Sequence, residues 1–130
     1  MYSQTTRNIK VTVYPAYIDT QSDPEAHHYV WAYTIQLDNL GEEKVQLLNR
    51  RWHITDATGA VQEVRGAGVV GEQPVLAPGD TFRYTSGAAL RTASGIMNGE
   101  YEMETEFKER FLIKIPAFSL DSPEQIKRPN

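Results

Sequence analysis

Residues 66–71 read Gly66-Ala67-Gly68-Val69-Val70-Gly71, the spacing G-x-G-x-x-G. Where such a segment joins a strand to a helix, its backbone amides approach a pyrophosphate at the helix N-terminus. Here Pro74 and Pro78 follow and no helical pattern does, so the context of a nucleotide-binding fold is missing. A nest of amides in a loop can still take a phosphate without a helix. Arg65 lies beside the glycines, and Arg50 or Arg51 could reach them. Arg65, Gly66, Gly68 and Gly71 are therefore the candidate anion or pyrophosphate site. The plainer alternative is a structural loop or bulge.

Other chemistry is thinner. His27, His28 and His53 are the only histidines and there is no cysteine, too few ligands for a structural zinc site. No metal-ligating residues are assigned. A weak oxygen site for Mg²⁺ would have to use carboxylates. Glu100, Glu102, Glu104 and Glu106 form an acidic row, read as a solvated strand face facing Arg110 and Lys114. No G-x-S-x-G elbow is present. Ser86, His53 and Asp56 have the residue types of a triad, but only geometry defines one. The expectation is a chain that is not an enzyme. A phosphate-ester or anhydride hydrolase is the third reading, and it lacks a recognisable metal or base.

The elements that would position these residues have a period of two. Ile9, Val11 and Val13 alternate with polar neighbours. Tyr29, Trp31, Tyr33, Ile35 and Leu37 share one face of the longest run. Val45–Ile54 is the next strand, with its apolar parity switching between Leu47 and Leu48 at an expected bulge. Val61–Val64, Pro74–Leu76 and Thr81–Thr85 read as shorter strands, and residues 86–99 as irregular. Within that stretch Ser86, Gly87 and Leu90 form a candidate interaction loop, since loops on a rigid sandwich usually carry function. Tyr101–Phe107 and Arg110–Ala117 form a hairpin, with a predicted register of Glu106 opposite Arg110, Glu102 opposite Lys114, and Met103 opposite Ile113. Seven or eight strands punctuated by turns predict an all-β chain: an immunoglobulin-like β-sandwich of two antiparallel sheets, with Trp52 in its core.

The 130 residues fit one domain, with an ordered core over about 8–120 and a loose tail over 121–130. A net charge of −4 with mixed signs argues against nonspecific nucleic-acid binding and against docking on an anionic membrane. The absence of cysteine, of an N-terminal apolar run and of an 18-residue apolar stretch predicts a cytoplasmic protein.

Several long blocks resemble the ApaG family. They are Tyr29-Val30-Trp31-Ala32-Tyr33-Thr34-Ile35 with Asn39 and Gly41, the run from Val45 to Asp56, and the run from Val64 to Pro74. Further matches are Pro78-Gly79, Tyr84-Thr85-Ser86-Gly87, Gly95 to Met103, and Ile115-Pro116-Ala117-Phe118-Ser119-Leu120. The resemblance spans about Ile9 to Leu120 and implies a fibronectin type III-like sandwich. It also implies an indirect link to cobalt and magnesium efflux or resistance. Fusions of the same domain to F-box proteins and to a polymerase-interacting protein imply a protein-interaction role. The family's glycine motif, matched by Gly66, Gly68 and Gly71, has been likened to a pyrophosphate-binding loop. The first functional reading is a non-catalytic module that binds a protein partner through loops and a sheet edge, and that can self-associate. The alternative is a small-ligand sensor taking phosphate, pyrophosphate or nucleotide, with Mg²⁺ or Co²⁺, at Gly66–Gly71.

Overall fold

The alternating pattern resolves into strands nearly everywhere it was read. The computed structural model describes residues 1–123, and among them nine strands form two antiparallel sheets. The strands are β1 (Tyr2–Thr6), β2 (Ile9–Tyr17), β3 (Tyr29–Asn39), β4 (Val45–Asp56), β5 (Val61–Ala67), β6 (Val75–Leu76), β7 (Thr81–Leu90), β8 (Ser94–Thr105) and β9 (Arg110–Asp121). One sheet has the order β1-β2-β3-β7 and the other β5-β4-β8-β9, with β6 also pairing β4. Single 3-10 turns at Asp19–Gln21 and Pro24–Ala26 are the only described departures from strand and loop between β2 and β3. No helix among the described residues is long and apolar enough to cross a membrane.

The inward faces of both sheets make the core. Ile9, Val11, Trp31, Ile35 and Leu37 from one meet Leu47, Met97, Tyr101, Ile113 and Leu120 from the other, all essentially without exposure. Each such side chain contributes about 1.5–3 kcal/mol by leaving water. Trp52 is buried as predicted and bridges the sheets. It meets Tyr33 edge-on at 5.2 Å and Phe118 at 6.0 Å. The Trp31 indole donates to the Asp121 carbonyl at 3.0 Å, so this buried N–H has its partner. The bulge falls where parity switched, as a register shift between Leu47 and Asn49.

Four sequence readings need correction. Tyr2–Thr6 is a strand, so order begins before residue 8. It returns into β2 through Arg7 and Asn8, both with left-handed backbone (φ 48° and 64°), the geometry of a two-residue hairpin. Residues 86–99 are largely strand, because β7 runs on to Leu90 and β8 starts at Ser94. The final hairpin is shifted by two: Glu104 faces Arg110, Glu100 faces Lys114 and Tyr101 faces Ile113. Five residues, 105–109, separate the last paired residues, two more than predicted. Thr105 accepts the amides of Phe107 and Glu109 on its hydroxyl, and Lys108 takes a left-handed φ of 68°. A shift of two preserves which face each side chain occupies, so charge still meets charge. Lastly, the tail's first residue, Asp121, ends β9 and Ser122 is buried; the rest of that expectation, over 124–130, lies outside the described residues.

Candidate functional site

The glycine motif leaves the end of β5 and closes a tight turn. Val69 N donates to Glu72 O at 2.8 Å and Glu72 N returns to Val69 O at 3.0 Å. Between them Val70 and Gly71 are both left-handed (φ 49° and 79°), so the motif is a primed hairpin turn. Gly68 is also left-handed, and a Cβ there would lie 2.2 Å from the Glu72 carbonyl oxygen. At Gly66 a Cβ would fall within 2.8 Å of the Arg50 guanidinium. That guanidinium donates to the carbonyls of Ala67 (3.1 Å) and Gly68 (2.9 Å). Gly68 thus answers both a steric and a conformational demand, Gly71 a conformational one, and Gly66 leaves room for the guanidinium. The Gly68 amide is committed to Leu48 O and the Val69 amide to Glu72 O. Arg65 is different: its side chain is 70% exposed and pairs with Glu63 at 3.0 Å.

Arg50 is the residue that sequence reasoning undervalued. It lies on the inward parity of β4, with Trp52 and Ile54, where a charge needs partners. That parity was readable; the two carbonyls that partner it were not. Arg50 sits near a cluster of buried hydroxyls between the sheets. Tyr84 and Tyr101 bond hydroxyl to hydroxyl, and Tyr33 lies opposite Ser86 in the β3–β7 register. Burial pushes the phenol pKa of Tyr84 and Tyr101 well above the ordinary range and raises that of Tyr33. Burial disfavours the phenolate, and Arg50 offsets only a little of this.

On the outer face of the second sheet, charges alternate across all four strands. Arg65 reaches Glu63, Glu63 reaches Arg51 at 2.5 Å, Arg51 reaches Glu100 at 2.9 Å, and Glu100 reaches Lys114 at 4.0 Å. The hydrogen bond from Arg51 is the main reason the Glu63 carboxyl pKa lies below its usual value. Glu104 pairs with Arg110 at 3.2 Å and Glu102 accepts from Asn49 at 2.7 Å. Glu106 has left the row for the turn, where it accepts the Lys44 amide. An open cleft of about 490 Å³ lies against Arg50, Arg51, Arg65 and Gly66 in this lattice.

The structure does not bring Ser86, His53 and Asp56 together. Ser86 is an inward residue of the first sheet, whereas His53 pairs with Glu63 and Asn98 in the second. Asp56 spends Oδ1 on the Thr58 and Ala60 amides and the Thr58 hydroxyl. His27 and His28 precede β3 rather than lying on it. Among the described residues no group of three or more His, Cys, Asp or Glu could hold a metal ion.

Ser86, Gly87 and Leu90 are strand residues of β7, not a loop. The glycine-punctuated run conceals an alternation in which Tyr84, Ser86, Ala88 and Leu90 point inward. Gly87 pairs with Ala32 of β3, and Leu90 is packed in the core at 8% exposure. What the run does offer is a free edge. β7 ends its sheet, and β3 is its only strand partner among the described residues. Beside its C-terminal half lies an open cleft of about 430 Å³, lined by Ile54, Val61 and Leu90 together with the polar His28, Asp56 and Arg91.

Comparison with known proteins places this geometry. The family model described as the ApaG domain matches residues 19–105. The chain is 62% identical to Protein ApaG of Paramagnetospirillum magneticum (strain ATCC 700264 / AMB-1) and 58% identical to Protein ApaG of Rhodospirillum centenum (strain ATCC 51521 / SW), each over the full length of both chains. A crystal structure of a Bordetella pertussis protein, 48% identical, superposes with a TM-score of 0.86 over 88% of this chain and 94% of that one. With the β-sandwich, the glycine turn and these relatives in agreement, the chain belongs to the ApaG family.

Proposed function

We propose that this chain is a non-catalytic binding module that presents the β7 edge, and the cleft beside it, to an extended segment of a partner protein. The observation that carries the reading is the free edge itself. It is ten residues long with Arg83 as its only charge, and Ser86, Gly87, Ala88 and Ala89 leave its second half unobstructed. Edge strands with unpaired backbone groups accept an added strand, whose alternate side chains then select pockets. The cleft at Leu90 supplies such a pocket. A link to cobalt or magnesium handling would run through the partner.

The test is affinity capture with the wild-type chain and with Gly87→Lys, which sets a charge on the edge without touching the core. The reading expects a reproducible partner that is lost with Gly87→Lys. Equal capture by both chains would move the interface elsewhere.

A phosphate or nucleotide sensor is the second reading, favoured by the exposure of Arg65 beside the turn. Against it stand the two amides already committed to carbonyls and the carboxylate of Glu63 that Arg65 and Arg51 share. It expects saturable amide shifts at Gly66–Gly71 on titration with Mg²⁺–ATP, beyond a Mg²⁺-only control, and weaker binding in Arg65→Ala.

A further inference from the structure

A sandwich of two open sheets has four edges, and three of them here are guarded. β1 and β9 cover one another. The Lys114 amide of β9 donates to the Thr6 hydroxyl at 3.3 Å, Tyr2 and Ser119 join through their hydroxyls at 3.3 Å, and Arg7 pairs with Glu109 at 3.0 Å. β5 is short, carries Glu63 and Arg65 on its solvent face, and ends in the tight turn. Charges, brevity and sharp turns are the ordinary means of blunting an edge. β7 is ten residues long and carries a single charge, Arg83, whose guanidinium lies over the Tyr14 ring.

The sequence of β7 is also self-complementary. Thr81-Phe82-Arg83-Tyr84-Thr85-Ser86-Gly87-Ala88-Ala89-Leu90 places its bulk before Thr85 and its small residues after it. Paired antiparallel with a copy of itself about Thr85, it sets Phe82 against Ala88, Arg83 against Gly87 and Tyr84 against Ser86. Every pair matches large with small, each keeps its face, and no like charges oppose. We infer that β7 pairs with β7 of a second copy about a two-fold axis at Thr85, giving a continuous sheet of order β1-β2-β3-β7-β7-β3-β2-β1. This rests on the reading of β7 as the docking edge and names one occupant of it. Self-pairing and partner binding then compete for the same backbone groups.

The chain has no cysteine, so a single introduced thiol reports the register. Directly opposed residues of antiparallel strands lie about 4.5–5.5 Å apart at Cα, within disulfide reach. Thr85→Cys should therefore form a covalent dimer on mild oxidation. Arg83→Cys should not, since its own copy lies about 13 Å away along the strands. Sedimentation equilibrium gives a second, thiol-free arm. Gly87→Glu faces Arg83 of the copy and should tighten the dimer about two- to fivefold, and Gly87→Lys should loosen it by a similar factor. A wild-type chain that stays monomeric at every concentration overturns the inference. So does a dimer in which Thr85→Cys and Arg83→Cys cross-link alike, or in which the two Gly87 variants behave the same. A monomer that still captures a partner, and loses it with Gly87→Lys, overturns the two-fold pairing alone and leaves the protein-binding reading intact.

Discussion

At the scale of single residues, the glycine motif and one asparagine show how local demand shapes this sequence. Gly68 needs both a left-handed backbone and the absence of a Cβ, because the Glu72 carbonyl occupies that space. Gly71 needs only the left-handed backbone, with open space around it. The two demands predict different costs. Gly68→Ala should destabilise by at least about 2 kcal/mol, strain and steric overlap together. Gly71→Ala should cost about 1 kcal/mol, the conformational term alone. Urea denaturation of both variants checks this, and equal losses would mean that the turn relaxes around Gly68. Asn39 is a second such residue, 1% exposed. Its side-chain amide donates to Glu43 O (2.8 Å) and Leu76 O (3.0 Å) and accepts the Gly41 amide (3.0 Å). It thereby clips the crossover between β3 and β4 to β6. Asn39→Ala strands all three backbone groups and should cost about 2–4 kcal/mol by the same measurement.

At the scale of elements, what was legible follows from what sets each feature. Strand faces are set by parity, which sequence displays, so the buried row Tyr29 to Leu37, the bulge after Leu47 and the core position of Trp52 were all readable. Turn geometry is set by backbone conformations that ordinary residues can adopt under tertiary pressure. Arg7-Asn8 lacks the Asn-Gly signature of a primed turn, so β1 went unread. The left-handed Lys108 lengthened the last loop and moved the hairpin register by two, a move that parity cannot detect. Small residues hid the second half of β7, because Ser86 and Ala88 carry little apolar signal although they face the core. The site was legible as residues but not as an arrangement. Gly66–Gly71 stood out in the sequence, while its reason, the Arg50 guanidinium beneath Gly66, required two strands to be seen in register. Arg50 therefore acts on an element rather than at a point. Arg50→Met keeps the apolar stem and removes the fork, leaving the Ala67 and Gly68 carbonyls without that donor. It should cost about 1–3 kcal/mol and speed amide exchange in β5 and the turn, while β2 and β3 keep their protection. Uniform acceleration across both sheets would place the role of Arg50 in global stability instead.

At the scale of the whole molecule, the two sheets are held together by apolar burial and by the hydroxyl bridge between Tyr84 of one sheet and Tyr101 of the other. Both phenols hold their protons to higher pH than a solvated tyrosine, chiefly because burial disfavours the phenolate. In the unfolded chain they ionise near pH 10. The folded state thus keeps protons that the unfolded state gives up. The resulting stability is fully present below about pH 10 and is lost as pH rises through the folded-state values. Each phenol should lower the unfolding free energy by about 1.4 kcal/mol per pH unit in that window. Urea midpoints should accordingly be flat from neutral pH to about 9.5 and fall steeply beyond it. Tyrosinate absorbance should show two phenols appearing only with unfolding. Tyr84→Phe should be less stable at neutral pH, since it leaves the Tyr101 hydroxyl without its bridge, yet its alkaline slope should be shallower by the share of one tyrosine. A Tyr84→Phe slope equal to that of the wild type would show that alkaline unfolding starts elsewhere, and that the bridge between the sheets opens before either phenol ionises.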